Sequence, residues 1–171
     1  HADNVAPSLL GGFVIIRGYS PLDVVQIPTP EHLYCTLVHP QLELKTEDSR
    51  KVLKLTLTLK DAVRQGGNIA GLVAGMMLSD YELIGRSLVD HIVEPVRSVL
   101  IPGFDKIKEA ALDAGALGCG ISGSGPTLFA LSKNEPTARI VGERMQRVFE
   151  SLSIESEVHV SPVNKQGARI V

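Results

Sequence analysis

The sequence predicts an α+β fold with helices on one face of a mainly antiparallel sheet. Two observations carry that expectation and a third sets its scale. From about residue 31 the segments run strand, helices, helix, strand, helix, strand. Ahead of Pro28, two β-branched runs with a short turn between them read as a hairpin in a different layer. The 171 residues, 44% hydrophobic, suffice for one sizeable core or two small ones.

The hairpin strands are GFVIIR, residues 12 to 17, and LDVVQI, residues 22 to 27, with Gly18, Ser20 and Pro21 between them. Pro28 and Pro30 in IPTP mark the expected domain boundary, so 1–30 and 31–171 are read as parts of two domains. LYCTLV, 33 to 38, predicts the next strand, stopped by Pro40. TEDSRKVL, 46 to 53, predicts a short helix in which Thr46 can cap, acids fill the first turn, and Arg50 and Lys51 follow. From Lys60 to Leu78 small apolar residues predict a helix with much of its surface buried, despite Gly66, Gly67, Gly71 and Gly75. Gly71 and Gly75 suit close packing against another helix or another subunit.

Ser79-Asp80-Tyr81-Glu82 fits a capping box that opens a helix through about Leu88. Phe104, Ile107, Ala111 and Ala114 share one face of an amphipathic helix stopped by Gly115. A strand, TLFALS, follows the glycine run. Asn134 and Pro136 start a helix with the stripe Val141, Met145, Val148 and Leu152. VHVSPV and ARIV are expected to close the chain as strands.

Several function classes are set aside by composition. The formal net charge is -2 and the pI about 6.2, which gives no basic field for nucleic acid and no polybasic patch for a membrane. No apolar run reaches the ~20 residues of a membrane span. The opening HADN does not read as a signal peptide. Cys35 and Cys119 lie far apart and read as reduced, core-type thiols of a cytoplasmic protein. The five histidines are scattered, so no metal site is expected from them. A chain opening on His1 rather than Met reads as a piece of a longer protein.

Four stretches could carry chemistry. GCGISGSGPT, 118 to 127, satisfies G-x-G-x-x-G at Gly118, Gly120 and Gly123. A dinucleotide turn needs a strand before it and a helix opening within it, whereas here a helix ends near Gly115 and a strand begins near Thr127. What remains is a loop whose N–H groups and the hydroxyls of Ser122, Ser124 and Thr127 can hold an anion, weighed evenly against a tight connection that needs glycine for its dihedrals. His1-Ala2-Asp3-Asn4 groups an imidazole, a carboxylate and an amide, though Asp-Asn before Pro7 is also an ordinary helix start. Thr46 and Arg50 stand one helical turn apart and suit a carboxylate or phosphate, or simply a cap and a solvated cation. Arg97 lies in the apolar IVEPVRSVLIPGF, where its charge needs a ligand or a partner such as Glu94.

HADNVAPSLLGGF, Thr46-x-x-x-Arg50, EPVRSVLIPGF, GCGISGSGPTLFAL and the final GARIV together resemble the homoserine kinases, a branch of the GHMP small-molecule kinases. GISGSGPT is similar to the third motif of the whole superfamily; HADNVAP with EPVRSVLIPGF points to the homoserine branch. The resemblance runs the length of the chain. It implies a GHMP kinase fold: the tail of an N-terminal ribosomal-S5-domain-2-like domain in 1–30, then a ferredoxin-like α/β-sandwich domain in 31–171. The family's ATP-binding P-x-x-x-G-L-G-S-S-x loop is absent from these residues, so the resemblance implies a C-terminal half, inactive by itself, whose partner is the N-terminal half.

The implied reaction moves the γ-phosphoryl group of ATP, with Mg²⁺, to the hydroxyl of L-homoserine on the route to threonine. By resemblance Asn4 sits near the accepting hydroxyl, and His1 and Asp3 shape the same pocket. Arg50 and Arg97 grip the α-carboxylate, and Thr46 adds a hydroxyl. Ser122, Gly123, Ser124 and Gly125 form a wall beside the absent phosphate loop, with Gly123 also against substrate. Neither nucleic acid nor membrane is an expected partner; a homodimer stays open. Two other readings are carried forward: another GHMP kinase of the mevalonate type, and a non-catalytic α+β module that binds a small anion or amino acid.

Overall fold

A computed structural model describes residues 2–54 and 56–170; the side chains of Thr46, Asp48 and Arg50 lie outside that description. The elements are α1 (Ala2–Leu10), β1 (Phe13–Tyr19), β2 (Leu22–Ile27), β3 (Tyr34–Pro40), α2 (Thr46–Lys51), α3 (Leu59–Leu78), α4 (Tyr81–Ser87), α5 (Glu94–Arg97), α6 (Phe104–Asp113), β4 (Gly118–Ile121), β5 (Leu128–Ser132), α7 (Glu135–Ser151) and β6 (Ser156–Pro162). β1 and β2 make a separate two-stranded antiparallel sheet. The other four strands form one sheet in the order β4-β5-β3-β6, with every neighbouring pair antiparallel. That order, with α2 to α6 between its first two strands and α7 between its last two, is the ferredoxin-like arrangement.

Period-two alternation puts a core on each face of this sheet. Leu128 and Ala130 of β5 and Val38 of β3 meet Ile107 and Ala111 of α6 and Val141, Met145 and Phe149 of α7. Phe129 and Leu131 of β5 point the other way and join Leu33, Met76 of α3 and Ile84 of α4. Helices therefore cover both faces, where the sequence predicts them on one. Phe13 and Ile27 bring the hairpin against the same cluster.

Helix starts follow side-chain chemistry. Asn134 accepts the N–H of Thr137 to open α7, with Pro136 in the first turn. Thr58 caps α3 by accepting from Asp61. The cap of α4 is Asp80, which accepts from the N–H of Leu83 at 2.9 Å, and not Ser79. Ser79 instead ends α3 in the left-handed region, φ 54°, because only two residues separate the helices and one of them must reverse the chain.

Three further expectations are corrected. α3 is not mostly buried: Val63, Ile69, Met77 and Leu78 are exposed, because its packing within the chain is chiefly against α4. Gly71 and Gly75 serve that contact, since a Cβ at either would stand 2.5 Å from Ser87 Oγ or 2.9 Å from Ile84. Ala168 to Ile170 of the expected ARIV strand are not a strand, and Val171 lies outside the described residues; a hydrogen bond from the Ala168 N–H to the Ser8 carbonyl of α1 ties this segment down instead, and a helix end offers no ladder to extend. Finally, Gly118–Ile121 is strand β4, so the first part of the glycine run lies in the sheet rather than in a loop.

Candidate substrate site

GCGISGSGPT folds as strand β4 and the turn that leads into β5, the two strands forming a hairpin. A side chain at Gly118 would place its Cβ 2.5 Å from Leu88 Cβ, and one at Gly120 would crowd the Phe129 ring at 3.2 Å. Glycine is thus required by packing in the strand. At the tip the requirement is conformational: Gly123 has φ +59°, yet a Cβ there would meet nothing within 4 Å. The Ser122 N–H donates to Thr127 and the Gly125 N–H to Ser122, closing the turn. Among the described residues this leaves the N–H groups of Gly123 and Ser124 unused by the turn itself, at an exposed tip that can take an anion. No helix opens within the run, so the dinucleotide reading fails on structure as it did on order.

Arg97 ends α5 beside this tip. Its Nη1 donates to the Gly123 carbonyl at 2.9 Å and its Nε to the Ser49 carbonyl of α2 at 3.1 Å. Ser49 is fully buried, and its hydroxyl donates to the Ser124 carbonyl at 3.0 Å. Three segments distant in sequence, α2, α5 and the hairpin tip, are therefore stitched together by one guanidinium and one hydroxyl. Positions 46 and 50 lie on that same α2, one turn apart. His39 Nδ1 and Thr127 Oγ1, 2.7 Å apart, hold the hairpin's other shoulder to β3.

Glu94 is not the partner of Arg97. Its carboxylate pairs with Lys108 of α6. Burial pushes the Glu94 carboxyl above its usual range, more than the Lys108 ammonium pulls it down, with Asp90 and Asp105 adding to the rise. A cavity of about 310 Å³ opens beside the pair, bordered by Asn68, Leu72, Glu94, Gly120, Gly123 and Phe129. Cys119 also reaches it; burial drives its thiol up to about 12, and that of Cys35 to about 11, so neither is a nucleophile at neutral pH.

The proposed site residues divide as follows. Arg97, Ser122, Gly123, Ser124 and Gly125 come together. Asp3 and Asn4 sit on exposed turns of α1, which packs on β1, and among the described residues no hydrogen bond or ion pair joins them to the Arg97 cluster. His1 and the side chains of Thr46 and Arg50 lie outside the described residues. Ser49, Lys108 and Asp90 were missed: a serine inside a short helix and a lysine on an amphipathic face give no local signal of what they touch.

Residues 68–151 match the family model for the C-terminal domain of GHMP kinases. Over its whole length the chain is 57% identical to the homoserine kinase of Chlorobium phaeovibrioides, covering 54% of that protein, and 40% identical to that of Arabidopsis thaliana, covering 47%. A crystal structure of homoserine kinase from Cytophaga hutchinsonii superposes on all of the chain with a TM-score of 0.98 at 57% identity, and the chain covers 54% of it. The chain thus spans about half the length of the curated relatives it matches.

Proposed function

We propose that the chain carries the C-terminal domain of the GHMP kinases and is the substrate-gripping half of a homoserine kinase. On this reading residues 1–30 are the tail of the first domain and 31–171 the second. The whole enzyme transfers the γ-phosphoryl group of ATP to the hydroxyl of L-homoserine. Free thiols, Cys119 buried and Cys35 half-buried, suit a cytoplasmic setting, and no described helix is long and apolar enough to cross a membrane.

One observation carries the chemical reading. The Arg97 guanidinium stands where α2 and the glycine hairpin meet, half-buried, with its fork only partly used by two backbone carbonyls. Its remaining N–H groups suit a carboxylate, and Arg50 on the adjoining helix supplies a second cation. A ligand without that carboxylate would leave the arginines unpaired, which gives selectivity for an α-amino acid. Asn4 cannot take a proton at neutral pH, so catalysis rests on positioning and electrostatics, which a loose phosphoryl-transfer transition state allows.

ATP supplies the phosphoryl group, and its binding loop belongs to the rest of the enzyme. The described residues fit only the edge of that site: the Gly123 and Ser124 N–H groups offer an anion two donors, not a nucleotide cradle. Among the described residues no group of three or more His, Cys, Asp and Glu could hold a metal ion, so Mg²⁺ is not assigned ligands here. The test is phosphorylation by the full-length enzyme with L-homoserine and mevalonate offered separately; turnover of L-homoserine is expected, and turnover of mevalonate alone would assign the chain to another GHMP kinase.

A further inference from the structure

Arg97 can serve a substrate only if α5 holds it in place, and α5 is four residues long with no buried residue. Hydrophobic packing therefore does not fix it. Two polar devices do. Asp90 accepts the N–H groups of Ile92 at 2.8 Å, Val93 at 2.9 Å and Glu94 at 3.1 Å, which closes the N-terminal end. Glu94, the first residue of α5, is paired to Lys108 of α6, with both side chains mostly buried at 14% and 20% exposure. Glu94 Oε2 also lies 3.4 Å from where a Gly120 Cβ would stand, so the carboxylate rests against β4. Lys108 extends over the Phe104 ring, 5.9 Å from its centroid, and so is itself steered.

We propose that the Glu94–Lys108 pair is a clamp that sets the reach of Arg97, making both residues positioning residues for the substrate carboxylate. The inference rests on the homoserine kinase reading above. A clamp explains an arrangement that stability does not. Desolvation outweighs the lysine in raising the Glu94 carboxyl, so the ionised pair gains the fold little. What it gains is geometry: one pair joins α5, α6 and β4, one helical turn before the arginine that joins α5, α2 and the hairpin tip.

The experiment uses the full-length enzyme. Removing one charge would leave the other buried and alone, so the variant is the neutral double, Glu94→Gln with Lys108→Met. The expected result is a KM for L-homoserine raised about tenfold through misplacement of Arg97. KM for ATP and kcat stay unchanged, and Tm is unchanged or higher. Lys108→Arg in the otherwise wild-type enzyme, which keeps the pair, should keep the wild-type KM. An unchanged homoserine KM in the neutral double, whatever its Tm, overturns the clamp alone. Failure of the wild-type enzyme to phosphorylate L-homoserine overturns the substrate reading, and the clamp with it.

Discussion

Arg97 Nη1 donates to the carbonyl of Gly123 at 2.9 Å, so the arginine proposed to grip substrate also braces the glycine tip. The contact explains why the tip can be open and still defined. Gly123 keeps φ +59° with no neighbour within 4 Å of a notional Cβ, held by hydrogen bonds to its flanks rather than by packing.

Gly123→Ala should therefore fold but work poorly. The left-handed backbone costs a non-glycine residue about 1–2 kcal/mol, and the methyl group enters the space where ligand would approach. Gly125, at φ +80°, differs: a Cβ there meets Ile101 and Ile121 at 3.3 Å. Thermal melts should show Gly125→Ala as the less stable, while homoserine turnover falls in Gly123→Ala. Equal melting points with full turnover in both would contradict the division.

Gly118 tests why β4 is a strand at all. Its notional Cβ lies 2.5 Å from Leu88 Cβ, so Gly118→Ala should lose about 1–3 kcal/mol from overpacking. Leu88→Gly in the same chain, which removes that Cβ, should recover part of the loss, giving a coupling well above additivity in a denaturant-based double-mutant cycle. Additive losses would mean the contact is not the constraint.

The sheet, α6 and α7 were legible in the sequence because each carries its own period and, for α7, its own cap in Asn134. β4 was not, because Gly118 and Gly120 have low strand propensity and are placed by Leu88 and Phe129, residues far off or across the hairpin. Ser79 was misread because a capping box cannot say that the same residue must first end α3. The exposed Val63 and Ile69 show the converse: an apolar stripe says that a face wants cover, not where the cover is. At the site, Arg97 stood out as a charge in an apolar run, but its partners Ser49 and Gly123 lie 48 and 26 residues from it, and the Lys108 that claims Glu94 lies 14 residues from that glutamate. Only the resemblance gave these positions a substrate.

Cys119 offers a check on burial that is independent of function. Its thiol is raised from 9.0 to about 12, so the folded state favours the neutral form. The associated stability is complete below pH 9, where the unfolded thiol is still protonated, and is lost as pH rises from 9 toward 12. Iodoacetamide at pH 8 should label Cys119 only after denaturation. Rapid labelling of the native protein would contradict the buried placement.

The central claim is that Arg97 binds the substrate carboxylate. The direct measurement compares kcat/KM for L-homoserine and for 3-aminopropan-1-ol, which lacks that carboxylate, in the full-length wild-type enzyme and in Arg97→Leu. Loss of the brace to Gly123 lowers both, but a lost charge-assisted contact is worth about 2–5 kcal/mol, so homoserine should lose at least about 30-fold more than the aminoalcohol. An equal loss on both substrates would mean that Arg97 only braces the hairpin and does not touch the carboxylate.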